Sequence, residues 1–182
     1  MLRELILGGM ITLVPCVAWA AQPANPNLCE KGKKLLAYFE SIYGKKTLAG
    51  YNVYPHTPDD YQQTGRRAAI WGRDIQWLGD VEEVISDVRL HGYILTLHWH
   101  WFLGGDSAWT HERKSPVDLA KLVTPGTSEY QTLMKELAAT ADVLDRLQKA
   151  GIVVLWRPLH EIDGGWFWWT DTNHPENTAE LW

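Results

Sequence analysis

Beyond residue 27 the chain alternates between two hydrophobic rhythms. Residues 28–43 place Leu35, Leu36, Phe39, Ile42 and Tyr43 at helical spacing, and Gly44 ends the segment. Thr47 to Asn52 reads as a strand, and Ala68 to Asp74 as a second. Helical spacing returns over residues 80–91. There Asp80 is placed to cap, Val81, Val84, Ile85, Val88 and Leu90 form the apolar side, and Gly92 stops the helix. Tyr93 to Trp101 predicts a third strand. Residues 102–127, with Gly104-Gly105, Pro116 and Pro125-Gly126, read as a long loop. The clearest helix spans Ser128 to Ala150, with Tyr130, Leu133, Met134, Leu137, Ala141, Leu144 and Leu147 as its buried stripe. Gly151 ends it, and the apolar run from Gly151 to Leu155 predicts a fourth strand. Pro175 to Trp182 begins a further helix.

Short apolar strands alternating with helices predict an α/β fold made of parallel βα units. A closed (β/α)8 TIM barrel needs eight strands and about 250 residues. This 182-residue chain therefore reads as about the first four β/α units of such a barrel, ending inside the fourth helix. An open flavodoxin-like sheet is the structural alternative. No glycine-rich phosphate loop follows the first strand, so a nucleotide site has little support.

The first residues follow a different logic. Met1-Leu2-Arg3 precedes an apolar run broken by Gly8, Gly9 and Pro15, and Ala18-Trp19-Ala20 offers a cleavage site. We therefore expect a signal peptide over 1–20, a Pro/Asn-rich linker over 21–27 and the barrel segment over 28–182. The apolar run is too short and too punctuated for a membrane span, so none is expected after cleavage. Pro15 stands where a lipoprotein signal would want a small residue before Cys16. The expected location is secreted or periplasmic. With the signal removed, Cys29 is the one remaining cysteine, so no internal disulfide is expected; it falls on the first helix and reads as packed.

A net charge of -5 gives no basic patch for nucleic acid. Tryptophan is the unusual component, with eleven residues, all but Trp19 beyond the signal segment. Its flat apolar face and single donor suit a carbohydrate cleft, although a tryptophan-rich core accounts for part of the supply.

Candidate chemistry gathers where the strands end, the catalytic face of a β/α barrel. Past the fourth strand, His160 and Glu161 are followed by Trp166, Phe167, Trp168 and Trp169. A general acid must hold its proton near neutral pH, and an aromatic wall favours that by desolvating the carboxylate. The structural alternative for Glu161 is an ion pair with Arg157. At the end of the third strand His98 and His100 share one face, and Trp99 and Trp101 the other. His98, His100 and His160 could hold a metal, but His-x-His alone is a weak signal, and sugar contact or support of Glu161 fits His100 better. No metal or other cofactor is expected. Asp74 closes the second strand at the same rim, placed to bond a sugar or to pair with Arg73 or Arg157. Tyr51, Asn52 and His56 are expected at the outer cleft, and Asp163 reads as a turn residue beside Gly164-Gly165.

Together these segments resemble glycoside hydrolase family 26, whose best-known members are secreted β-mannanases. The likeness is strongest from Arg157 to Trp169, against a family pattern R-P-x-H-E-x-N-G-x-W-F-W-W. Leu97 to Trp101 and Pro175 to Trp182 add to it. The resemblance implies a (β/α)8 barrel and retaining hydrolysis, with Glu161 as acid/base and His160 beside the catalytic carboxylates. It implies Trp166 stacked on the sugar near the scissile bond and His100 on the glycone side. Trp99, Trp101, Trp168 and Asp74 join the expected substrate-binding set. Asp163 stands where Asn is usual, and His98 where a small residue is common. Retention requires a second carboxylate about 5–5.5 Å from the first. The family's nucleophile is a glutamate far downstream, expected beyond the end of this chain, so the 182 residues alone are expected to be inactive. The expected activity is endo-β-1,4-mannanase action on a mannan-type polysaccharide. The alternatives are a non-catalytic carbohydrate-binding half-barrel, or a related β-1,3/1,4-glucanase or β-1,3-xylanase.

Overall fold

The structure, a computed structural model, describes residues 23–54 and 64–182. The expected signal peptide and His56 lie outside the described residues. The chain divides into two units, Met1–Ile42 and Tyr43–Trp182. In the first, α1 runs over Glu30–Ile42. Cys29 does not lie within this helix and is not packed: it is exposed at the helix start. There its thiol accepts the Gly32 N–H at 3.4 Å and its carbonyl the Lys33 N–H at 3.0 Å, so it caps orphan donors of the first turn.

The second unit is built on four strands: β1 (Gly50–Asn52), β2 (Ile70–Asp74), β3 (Ile94–His98) and β4 (Val154–Arg157). They pair in parallel in the order β1-β2-β3-β4. Parallel neighbours need crossovers. The helix α2 (Val81–His91) joins β2 to β3, and residues 99–153, with α3 (Leu119–Leu122) and α4 (Ser128–Lys149), join β3 to β4. A last helix, α5, spans Pro175–Leu181. The register aligns Gly72 with Thr96 and Leu155, and Asp74 with His98 and Arg157. Alternation then gives the sheet two faces. Trp71, Leu95, Leu97, Val154 and Trp156 pack with Val81, Val84, Ile85, Val88 and Leu147 of the helices. The other face opens on a cavity of about 260 Å³ lined by Gly50, Asn52, Ile70, Gly72, Thr96 and Arg157 among others. Gly72 is required there, because a Cβ would run into the Asn52 side chain.

Each element arises where the pattern placed it, with edges shifted for identifiable reasons. Asp80 caps α2 by accepting the Glu82 N–H at 2.9 Å, and Gly92 closes it at φ 69°. Leu90 lies off the buried stripe and is 77% exposed. In α4 only Leu133 and Leu147 of the expected stripe are fully buried, while Met134 and Leu137 face outward among the described residues. The fourth strand starts three residues later than expected. Gly151 donates to the Gln148 carbonyl at 2.9 Å and Ile152 to the Leu147 carbonyl at 3.0 Å, a Schellman closure that occupies these residues before the ladder begins. The third strand ends early, at His98, because the His100 N–H goes to the Asp74 carboxylate at 3.3 Å. The expected long loop contains α3 and two 3-10 turns, Leu103–Gly105 and Thr110–Glu112, each too short to show a hydrophobic period.

Leu147 is fully buried at the end of α4, so Leu147→Ala should lower the unfolding free energy by about 2–5 kcal/mol. Leu90→Ala, at an exposed site, should change it by less than about 0.5 kcal/mol. Urea unfolding of the two variants checks the pair, and equal losses would contradict the packing described here.

Candidate active site

Asp74 ends β2 as a buried carboxylate, 3% exposed. One oxygen accepts the Gln76 N–H at 2.9 Å and thereby caps the 3-10 turn Ile75–Trp77. Both oxygens receive the His100 N–H, and Oδ2 also receives the His100 ring Nδ1. Asp74 was expected to bond a sugar or to pair with Arg73 or Arg157, and no ion pair to either arginine is found among the described residues. Arg73 lies on the helix side, bonded to Asp87 at 2.8 Å, and the Asp74 oxygens are enclosed and occupied. The register partner His98 places Nε2 3.6 Å from Asp74, too long for a hydrogen bond.

Three imidazoles meet beyond the strand ends. The His98 and His100 rings lie 5.5 Å apart, those of His98 and His160 5.3 Å, and those of His100 and His160 4.6 Å. Burial pushes His160 down to about 4, and the neighbouring His100 and His98 add to the effect. Burial also lowers His98, against the opposing pull of Asp74. The ligand atoms of Asp74, His98 and His100 lie within 4.8 Å of one another, a donor set that a divalent cation could use. The hydrogen bond between Asp74 and His100 already occupies one atom of each, so the cluster is accounted for by side-chain hydrogen bonding.

Glu161 sits four residues past β4 on a tight turn. Leu159 has φ 47° and Glu161 φ 54°, left-handed conformations that cost a side-chain-bearing residue about 1 kcal/mol or more each. Pro158 has no N–H to extend the ladder, and the Glu161 carbonyl accepts the Gly164 N–H at 3.0 Å. Glu161 points outward, exposed, and its Oε2 accepts the Trp166 indole N–H at 2.8 Å. No ion pair joins it to Arg157, which lines the cavity on the open face of the sheet instead. The expected aromatic enclosure is also not found among the described residues, since Trp166 flanks the carboxylate while itself 47% exposed. Gly164 makes this arrangement possible: a Cβ there would occupy the space of the Trp166 indole.

The other tryptophans of the motif stand behind the cleft. Trp99, Trp101 and Trp168, expected to touch sugar, are at most 5% exposed. Trp99 stacks on Trp101 at 3.9 Å. The Trp101 indole donates to Glu136 at 2.5 Å, and the Trp168 indole to the Trp101 carbonyl at 2.7 Å. The Trp169 indole donates to the His160 carbonyl at 3.1 Å. Their faces and donors are spent inside the protein, so they hold the site rather than line it. The loop bearing Glu161 is latched to residues 108–110 by Thr110 N–H to the Trp166 carbonyl, 2.7 Å, and Trp168 N–H to the Ala108 carbonyl, 3.1 Å.

Two residues missed by the sequence reading complete the rim. Trp109 stacks on His100 at 4.8 Å, and Trp77, 42% exposed, lies 5.6 Å from the same ring. Neither belongs to a motif; the only available signal was that both follow predicted strand ends. The assembled face offers an accessible carboxylate, Glu161, with a fixed N–H partner, a cluster of imidazoles, and exposed indole faces at Trp166 and Trp77. This suits proton transfer beside a flat, hydroxylated, partly apolar ligand.

The low His160 value has a consequence for stability. An unfolded histidine near 6.5 takes up a proton that the folded ring refuses until about 4. The stabilisation is therefore present above about pH 6.5 and is lost as pH falls toward 4. His160→Gln should flatten that part of the melting-temperature profile, read by calorimetry between pH 7 and 4. Parallel profiles for the two proteins would contradict a half-buried ring held neutral.

The sequence pattern described as glycosyl hydrolase family 26 matches residues 24–182. A mannan endo-1,4-β-mannosidase of Thermothelomyces thermophilus is 33% identical over 80% of this chain and 34% of its own length. Mannan endo-1,4-β-mannosidase B of Piromyces is 29% identical over 87% of this chain and 31% of its own. The chain thus spans about a third of these relatives. A β-(1,4)-mannanase structure from Podospora anserina aligns with a TM-score of 0.74 at 33% identity, over 87% of this chain and 40% of that one. A β-mannanase from a termite symbiotic protist, in complex with gluco-manno-oligosaccharide, aligns with a TM-score of 0.74 at 26% identity, over 88% of this chain and 58% of that one. The parallel sheet is accordingly the four-unit part of a (β/α)8 barrel, and with the pattern running through its strands and the Glu161 loop alike, the chain belongs to glycosyl hydrolase family 26.

Proposed function

We propose that this chain carries the acid/base side of an exported endo-β-1,4-mannanase that cleaves mannan-type polysaccharide with retention. The observation that carries the reading is Glu161, exposed past β4 on a strained turn and fixed by the indole of an equally accessible Trp166. Strain at such a position is retained where geometry matters more than local stability. Glu161 protonates the leaving glycosidic oxygen, then accepts a proton from the water that releases the sugar. Trp166 offers its face to the sugar near the scissile bond and its N–H to the acid. His100 contacts the sugar on the glycone side, and His160 lines the floor beside it.

Retention needs a second carboxylate. Asp74 is enclosed and fully bonded, which does not suit it to attack a sugar. The family resemblance implies a glutamate from a later strand of the barrel as the nucleophile. Mannan as substrate is supported by the relatives, which are mannan endo-1,4-β-mannosidases, and by the oligosaccharide bound to the protist enzyme. Export is supported by the signal-like residues 1–20. Among the described residues no helix is long and apolar enough to cross a membrane.

The test uses the full-length protein, galactomannan and manno-oligosaccharides. Glu161→Gln should lower kcat/KM by about 10²–10⁴-fold while oligosaccharide binding persists, because proton transfer is removed and the cleft is kept. Hydrolysis at the wild-type rate would sink the assignment of Glu161. Binding by the native protein without any hydrolysis would instead favour the non-catalytic carbohydrate-binding reading.

A further inference from the structure

The Asp74 carboxylate and the His100 ring form a pair that the proposed chemistry does not yet use. An ionised carboxylate only accepts hydrogen bonds. In the contact between Asp74 Oδ2 and His100 Nδ1 the hydrogen must therefore sit on the ring nitrogen. The same carboxylate also receives the His100 backbone N–H at 3.3 Å, so main chain and side chain are tied to one group. Trp109 stacks on the ring with an interplanar angle of 20°, Trp77 lies tilted against it, and Phe167 and His160 meet it edge-on. Rotation of the imidazole would break these contacts together.

We infer that Asp74 is a positioning residue that locks His100 as its Nδ1–H tautomer, presenting Nε2 as a hydrogen-bond acceptor for a sugar hydroxyl. Nε2 has no hydrogen-bond partner among the described residues, and 11% of the side chain stays accessible. In a neutral imidazole with hydrogen on Nδ1, Nε2 can only accept. The ligand group it selects is thus an O–H donor, which every pyranose unit of a glycan chain supplies. His98 is excluded from this role. Its Nε2 is 3.6 Å from Asp74, and its Nδ1 is buried without a partner. Histidine pairs with an orienting carboxylate recur wherever one ring nitrogen must be kept free for a defined partner.

The inference rests on the mannanase reading only for the identity of the ligand; the tautomer is a property of the protein itself. It is read directly by nitrogen-15 NMR of the imidazole side chains in the full-length protein at neutral pH. His100 should show a protonated Nδ1 and an unprotonated Nε2, and the opposite pattern overturns the inference. In turnover of manno-oligosaccharides, Asp74→Asn should lower kcat/KM by about 10- to 100-fold. That loss should vanish when His100→Ala is already present. An equal Asp74→Asn penalty with and without the His100 ring would assign Asp74 a purely structural role and overturn the inference. If Asp74→Asn fails to fold, the native tautomer decides alone. If the protein hydrolyses no glycan, the mannanase reading falls while the NMR result still decides the role of Asp74.

Discussion

A buried carboxylate organises this end of the molecule. Enclosing the Asp74 charge is costly unless its oxygens are bonded. The N–H groups of Gln76 and His100 and the His100 ring meet that requirement. The requirement also shapes the backbone. Capping by Asp74 turns the chain after β2 into a 3-10 turn, and capture of the His100 N–H takes β3 out of the ladder at His98. The cleft floor begins where the sheet hydrogen bonds stop. With Asp74 satisfied, the three imidazoles can cluster at ring distances of 4.6–5.5 Å behind the Glu161 loop.

The tryptophans around the Glu161 loop divide by what their indole N–H does. Trp101, Trp168 and Trp169 each donate to a group inside the protein and are nearly or fully buried. Trp166 donates to Glu161 and keeps its surface open. A buried indole without a partner carries a desolvation cost, which these three avoid and which Trp71, with its N–H buried and unpaired, bears. The aromatic run of Trp166 to Trp169 is accordingly one exposed residue followed by three that anchor it. A single motif supplies both the exposed indole and its support.

Much of this was legible in the sequence because it rests on local rules. The helical stripe of α2, its Asp80 cap and Gly92 stop, and the alternation of strand and helix follow from spacing and backbone preference alone. The Glu161 loop was legible because its residue types are unusual and close together. What the sequence hid depends on distance. Asp74 and His100 are 26 positions apart, and neither residue type announces a partner. Trp109 and Trp77 meet the same ring from different loops. The burial of Trp99 and Trp101 could not be read either, since alternation assigns a face to each strand residue and both lie past the end of β3. The exposure of Met134 and Leu137 shows the complementary limit: an apolar stripe states a preference for burial and does not say which neighbour provides it.

Precision at Glu161 depends on a chain of contacts that starts far from the carboxylate. Left-handed backbone at Leu159 and Glu161 would relax if the loop were free. It is restrained at one end by β4 and at the other by the Phe167–Trp169 anchor, where Phe167 stacks on Trp169 at 4.3 Å. That anchor is bonded through Trp168 to Trp101, and Trp101 to Glu136 of α4, which also receives the Gly104 N–H at 2.8 Å. Glu136 therefore ties the loop after β3, the loop after β4 and the connecting helix into one unit. Sites built on rigid elements hold geometry better than sites on free loops. Here two loops acquire that rigidity by bonding to each other and to a helix, while the Glu161 carboxylate stays exposed.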